Sequence, residues 1–212
     1  MFLVIKTDVY RSFFHKRLLQ NIDTMFVRPL HRTRTMEESR KKEAFGMNYV
    51  TSVALWGLTT DEMVEAVARE RMDGIIWSYE QLKQLNERPE RMKRQHESSS
   101  LRFALDGPSD LNLCAVNETI RRHSMKEAKR AIEWARALGV DWLRFDAGNE
   151  SMTPALRQWQ RRTMQQAVYE LDVTASRAGV VIAFGLQLPS PDALFARAER
   201  LNGLVKHCSP HV

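Results

Sequence analysis

From residue 49 onward the chain alternates short apolar runs with longer amphipathic stretches. Runs of about four to eight aliphatic, β-branched and aromatic residues predict buried strands, whereas apolar positions three and four apart predict helices with one covered face. Residues 49–56 form the first β-prone run. Thr59 and Glu62 then have the spacing of a capping box, in which the threonine oxygen accepts from a helix N–H and the glutamate reaches back. Met63, Val64, Val67 and Ala68 make the helical stripe, and Gly74 leads into a strand over 75–79. A helix over 79–98 follows, to be broken or restarted at Pro89, and 101–105 is the third strand. Ser124 and Glu127 predict another capping box, ahead of a stripe at Ala128, Ala131, Ile132, Ala135 and Leu138. Gly139 is placed for a left-handed stop before a strand over 140–145. Thr153-Pro154 opens a helix that Gly179 ends, and 180–184 is the fifth strand. A helix from Ser190-Pro191, stopped by Asn202-Gly203, and a sixth strand over 204–207 complete the pattern.

Strands apolar throughout, alternating with helices, imply a parallel sheet covered by helices. The two solutions are an open doubly wound sheet and a (β/α)8 barrel. No G-x-G-x-x-G follows the first strand and no G-x-x-x-x-G-K-[ST] occurs, so the nucleotide-binding open sheets lose their main support. G-x-S-x-G and H-E-x-x-H are absent too. The expectation is an α/β fold: a partial (β/α)8 TIM barrel of about six β/α units over residues 47–212, behind a basic N-terminal extension, residues 1–46.

Composition narrows the class further. With 212 residues, 43% hydrophobic and 27% charged, the chain has ordinary globular usage, which excludes collagen, a disordered tail and a disulfide scaffold. No apolar run approaches the roughly 20 residues of a membrane helix. Residues 1–46 hold ten basic against five acidic side chains and so carry most of the net charge of +6. Such an arm can bind polyanions but is more often a solvated extension, so nucleic acid is not an expected partner. The apolar start is cut short by Lys6, no signal peptide is expected, and the expected location is cytoplasmic. Cys114 and Cys208 read as free thiols of a reducing compartment, and Cys208 with His211 alone is a weak zinc signal.

Residues 106–148 add a more specific likeness. They run from Asp106-Gly-Pro through a loop and a long helix ending in Leu138-Gly139 to a strand finishing at Asp146-Ala-Gly148. Together with residues 52–56, the Thr59–Glu62 cap and Asp73-Gly-Ile-Ile-Trp77, this order resembles the xylose isomerase-like TIM-barrel superfamily, which includes sugar-phosphate isomerases/epimerases and AP endonucleases. The resemblance implies chemistry on the loops after the strands. It also implies a divalent metal (Mg2+, Mn2+ or Co2+) held by carboxylates and histidine, which polarises sugar oxygens while carboxylates move a proton. Carried across, the pattern is damaged: a frequent glutamate position reads Ile76, a histidine position reads Asp106, and the fourth-strand position is Asp146. The fifth-strand metal-binding glutamate is Gly185, and of the sixth-strand Asp-x-x-His only His211 remains as a metal ligand. Two further units of about 25–30 residues would be needed for a complete barrel of about 250. The resemblance therefore implies a degraded metal site: a divalent cation if the protein is active, and otherwise no cofactor.

Asp106 and Asp146 are the candidate catalytic pair. The ends of adjacent parallel strands lie about 5 Å apart, and carboxylates that close raise one pKa or recruit a cation. The structural alternative is that each caps its loop or pairs with an arginine such as Arg144. Glu80 and Glu150 fall on neighbouring loops. Trp56 is a candidate for stacking on a sugar face, and Asn112, Asn149 and Gln187 for bonding its hydroxyls, against the alternatives of rim packing and turn closure. Trp134, Trp142 and Trp159 read as helix–sheet packing. Only His207 and His211 lie near a predicted strand end, too few for metal-dependent DNA cleavage. The expected function is isomerase/epimerase-like, acting on a small sugar or sugar phosphate by metal-assisted proton transfer. The alternative is a non-catalytic truncated barrel that binds a polyol or assembles with another chain, as a homo-oligomer for example, since unpaired strand edges invite pairing.

Overall fold

The computed structural model describes residues 47–146, 148–185, 187, 193–194, 196, 198–210 and 212, and the backbone of residues 3–5 and 25–29. Five parallel strands succeed one another across the sheet in chain order: β3 (Met47–Thr51), β4 (Gly74–Ser78), β5 (Arg102–Asp106), β6 (Leu143–Phe145) and β7 (Ile182–Phe184). An antiparallel pair, β1 (Leu3–Ile5) and β2 (Met25–Pro29), extends the sheet beyond β3, so part of the N-terminal extension joins the sheet. A doubly wound sheet reverses its strand order at a switch point. Here the order never reverses, which decides for a partial barrel wall.

The helices pack on one face of the sheet. They are α1 (Thr60–Arg69), α2 (Tyr79–Gln84), α3 (Pro89–Ser98), α4 (Glu118–Leu138), α5 (Pro154–Ala178) and α6 (Ala198–Val205). Successive strand side chains point to opposite faces. One set, with Val50, Ile75, Trp77, Phe103, Leu105, Leu143, Phe145, Ile182 and Phe184, shares a single buried cluster with Met63, Leu82, Met92, Ile132, Leu171 and Leu201 of the helices. No described helix is long and apolar enough to cross a membrane.

The opposite, concave face carries a second, smaller cluster of Tyr49, Ile76, Ala104 and Trp142. The Tyr49 and Trp142 rings meet edge to face, with centroids 6.2 Å apart. Trp142 therefore packs inside the barrel wall, not between helix and sheet as its sequence context suggests. Trp134 does meet the helix-side core, edge to face with Tyr79, whereas Trp159 is 41% exposed and holds Arg121 over its ring.

Local chemistry explains most element ends. Thr59 and Glu62 form the expected capping box, and Pro89 restarts a helix at its first turn, separating α2 from α3. Gly139 and Gly179 both take the left-handed conformation as helix stops. Four expectations fail. The first strand, expected over 49–56, ends at Thr51, and residues 52–55 coil into a short 3-10 helix. Asn117, not Ser124, caps α4, accepting from Thr119 and Ile120, while the buried Ser124 accepts the Asn112 N–H. Asn202 and Gly203 do not stop a helix but lie within α6. Residues 204–205 continue that helix and 206–207 turn, so no sixth strand forms there. The apolar spacing of Leu201, Leu204 and Val205 suits a helical face, and that packing overrides the short β-like run. The proposed start at Ser190-Pro191 and Phe195 lie outside the described residues.

Candidate functional site

Register builds the site on the concave face. Ser78 lies opposite Asp106, Asp106 opposite Arg144, and Arg144 opposite Ala183, so one row of inward positions crosses four strands at their C-terminal ends. Below this polar row lies the floor of Tyr49, Ile76, Ala104 and Trp142. An apolar floor under convergent polar groups is the usual composition of a small-molecule site.

Asp106 and Arg144 pair through two contacts. Arg144 Nε lies 2.8 Å from Asp106 Oδ1, and Nη2 donates to Oδ2 at 3.1 Å. The structural alternative weighed for Asp106 is thus realised, and it places a guanidinium within the candidate site. Asp146, the first residue after β6, is exposed. Its Oδ1 lies over Gly185, where a Cβ would stand only 3.0 Å away. Glu80 bridges two loops, accepting from the Ser109 N–H at 2.7 Å and from the Ser78 hydroxyl at 3.3 Å.

Burial pushes the Asp106 carboxyl up from 3.8 to about 6; Arg144 opposes this shift, while the negative charges of Asp146 and Glu80 add to it. The native state therefore keeps this proton between about pH 4 and 6 while the unfolded chain has lost it. Through this group alone, stability falls as pH rises across that window. A carboxyl carbon NMR titration should give Asp106 a midpoint near 6. Asp146→Asn should lower that midpoint by removing a like charge, and Arg144→Met should raise it. A midpoint near 4 in all three proteins would contradict this electrostatic assignment.

The other candidates fall in two places. Trp56 follows β3 on the same rim and is 63% exposed. Asn112, Asn149 and Gln187 are joined to one another. Asn112 Nδ2 donates to the Asn149 carbonyl at 3.3 Å, and Gln187 Nε2 donates to the Gly148 carbonyl at 2.8 Å and to Asn149 Oδ1 at 3.3 Å. These amides latch the loops after β5, β6 and β7. Glu150 is buried against Arg161, at 2.6 Å, and Arg157, at 3.8 Å, while Gln160 bonds Ser151 and Cys114 across the same loops. The Cys114 thiol, buried beside Glu150, is pushed up to about 11 and is no nucleophile.

His211, the expected metal ligand, lies outside the described residues. Nearby Ser209 donates through its N–H, at 2.9 Å, and its hydroxyl to the buried Asp172 of α5, and its hydroxyl also meets that of Ser176. Ser176 stands in the last turn of α5, which leads into the start of β7. Ser209 is therefore held at the end of the sheet opposite Asp106.

The described residues do not fit a divalent cation. No group of three histidine, cysteine or acidic side chains among them is arranged to hold one. The positive charge beside Asp106 is already supplied by Arg144, and Gly185 has no donor atom to offer.

From sequence, Arg144 figures only as a neutralising partner and the floor is not foreseen. The signal was the period-two alternation. Tyr49/Thr51, Ile76/Ser78, Ala104/Asp106 and Arg144/Asp146 each put an inward residue low and a more polar one two positions higher, or two charges in succession.

Several solved structures share the architecture. A D-tagatose 3-epimerase-like protein superposes with a TM-score of 0.60 at 20% identity, over 76% of this chain and 60% of its own. An L-ribulose 3-epimerase gives 0.61 at 18%, over 74% and 55%. The IOLI protein with a binding zinc atom gives 0.62 at 16%, over 74% and 57%. The chain thus spans less than two thirds of the length of these barrels. No curated protein sequence matches it. Residues 56–212, well over half of the chain, match the xylose isomerase-like TIM barrel, and the chain belongs to that family.

Proposed function

We propose that this protein is isomerase/epimerase-like, binding a small sugar at the C-terminal rim of its strands and moving a proton between sugar carbon and carboxyl. The observation that carries the reading is the row Ser78–Asp106–Arg144 with Asp146 above an apolar floor, at the sheet end where barrels of this kind place their chemistry. The epimerase-named structural neighbours support a sugar as the ligand class. A carboxyl raised towards neutrality suits proton exchange at physiological pH, because it can accept and return the proton with little bias. On this reading exposed Asp146 bonds sugar hydroxyls, exposed Trp56 lies against an apolar sugar face, and Ser78, whose hydroxyl caps α2 and donates to Glu80, shapes the edge of the row. Among the described residues around Asp106, Glu80 and Asp146 add negative charge against Arg144, so a neutral sugar suits the rim better than a sugar phosphate.

The test is exchange of the carbon-bound hydrogen next to the carbonyl of neutral ketoses in deuterated water. It is to be followed by proton NMR, without added metal and with Mg2+, Mn2+ or Co2+. Enzyme-dependent loss of that signal for at least one ketose is the expected result. Absence of exchange for every ketose in every condition would overturn the reading.

One observation favours a second reading, a sugar-binding barrel wall that assembles with another copy. Among the described residues the outer edge of β7 has no strand partner. Light scattering tests it: a dimer or larger species supports assembly, and a strict monomer argues against it.

A further inference from the structure

Arg144 stands on the central inward row with its Nε and Nη2 on Asp106, while its Nη1 makes no hydrogen bond among the described residues. The guanidinium is mostly buried, its side chain 18% exposed, and its Cδ packs 3.7 Å from the position a Cβ on Gly185 would take. The pair is therefore a mostly buried positive charge whose Nε and Nη2 face a carboxylate, while Nη1 has no such partner among the described residues. It sits in a site whose other described residues do not fit a metal.

We propose that Arg144 takes the part that a metal would otherwise play, shifting its charge from Asp106 to the sugar oxygen during proton transfer; this rests on the proton-transfer reading above. Asp106 carboxylate removes the hydrogen from the carbon beside the sugar carbonyl. The C–H bond breaks and its proton forms an O–H bond on Asp106, the C–H electron pair becomes the new C=C bond, and the carbonyl π pair moves onto the carbonyl oxygen. The negative charge that leaves Asp106 is the charge that appears on that oxygen. The guanidinium, no longer matched by a carboxylate, turns its donors to the enediolate, through Nη1 and through the N–H groups that the neutral Asp106 holds less tightly. Returning the proton to carbon restores the Arg144–Asp106 pair. Net charge is constant throughout, and no oxidant, reductant or cation is consumed. A guanidinium supplies planar, directed donors to an oxyanion, and donors fixed in advance at a developing charge are worth a large factor in rate.

The experiment uses the full chain after EDTA treatment, with ketose hydrogen exchange in deuterated water as the readout. Wild-type exchange is expected to be indifferent to EDTA. Arg144→Ala should lose about 100-fold or more, and added methylguanidinium should restore part of the loss, a rescue that a purely structural role does not give. Should Arg144→Ala fail to fold, Arg144→Lys replaces it; a lysine keeps the charge without the fork, so slowed but EDTA-indifferent exchange is expected. Wild-type exchange that stops with EDTA and returns with Mn2+, Zn2+ or Co2+ overturns the inference while leaving the proton-transfer reading intact. So does wild-type-rate exchange by Arg144→Ala. No exchange by the wild type in any condition overturns both.

Discussion

Gly74→Ala is expected to destabilise the protein by about 3 kcal/mol, near the upper end of what one added carbon costs in a packed interior. The first position of β4 faces the concave side, where a Cβ would stand 2.2 Å from the Arg102 carbonyl oxygen and 2.6 Å from the Tyr49 ring. The backbone oxygen belongs to the neighbouring strand and cannot turn aside. Either β4 parts from β5 or the Tyr49 ring leaves its place against Trp142, and both open the floor beneath the rim. Gly203→Ala provides the internal control. Its added carbon meets nothing within 4 Å inside α6, so it should stabilise by about 0.5–1 kcal/mol through helix propensity. Urea unfolding of the two variants against the parent checks both signs. Equal stability of Gly74→Ala and the parent would remove the floor from the account.

Asp106→Asn carries the second large expectation, a fall in ketose hydrogen exchange of about 10²–10⁴, the range contributed by a placed general base. Asparagine keeps the shape and can still accept from Arg144, so the fold should persist and the loss should be chemical. Circular dichroism separates the two. Folded Asp106→Asn with unchanged exchange would transfer the proton chemistry elsewhere, with exposed Asp146 the next group to test.

The wall of the barrel was readable because each unit satisfies several local rules together. The Thr59–Glu62 box, the Pro89 restart and the Gly139 and Gly179 stops are set by backbone chemistry that needs no tertiary partner. The misread elements depend on what packs against them. Ser124 has a cap's spacing, but its hydroxyl serves the Asn112 loop. Residues 204–205 look β-prone until Leu201, Leu204 and Val205 are seen sharing one helical face with the core. The order of the strands, which separates barrel from open sheet, is a long-range property that no single segment reveals.

The site was legible in its acids and not in its organisation. Asp106 and Asp146 stand out as acids closing apolar runs, but register alone sets Arg144 opposite Asp106. Asn112, Asn149 and Gln187 offer the chemistry of sugar ligands in sequence, and only the folded loops show Asn112 bonding the Asn149 backbone carbonyl and Gln187 the Asn149 side chain. Gly185 reads as a missing ligand in one dimension. In three it is the surface over which the Asp146 carboxylate lies.

The most direct test of the central claim is a titration of the isotope-labelled chain with a neutral ketose, followed by amide shifts. The account predicts perturbation at Ser78, Asp106, Arg144, Asp146 and Gly185, with the lower floor around Gly74 and Trp142 unmoved. Shifts confined to the outer helices, or none at saturating sugar, would contradict it.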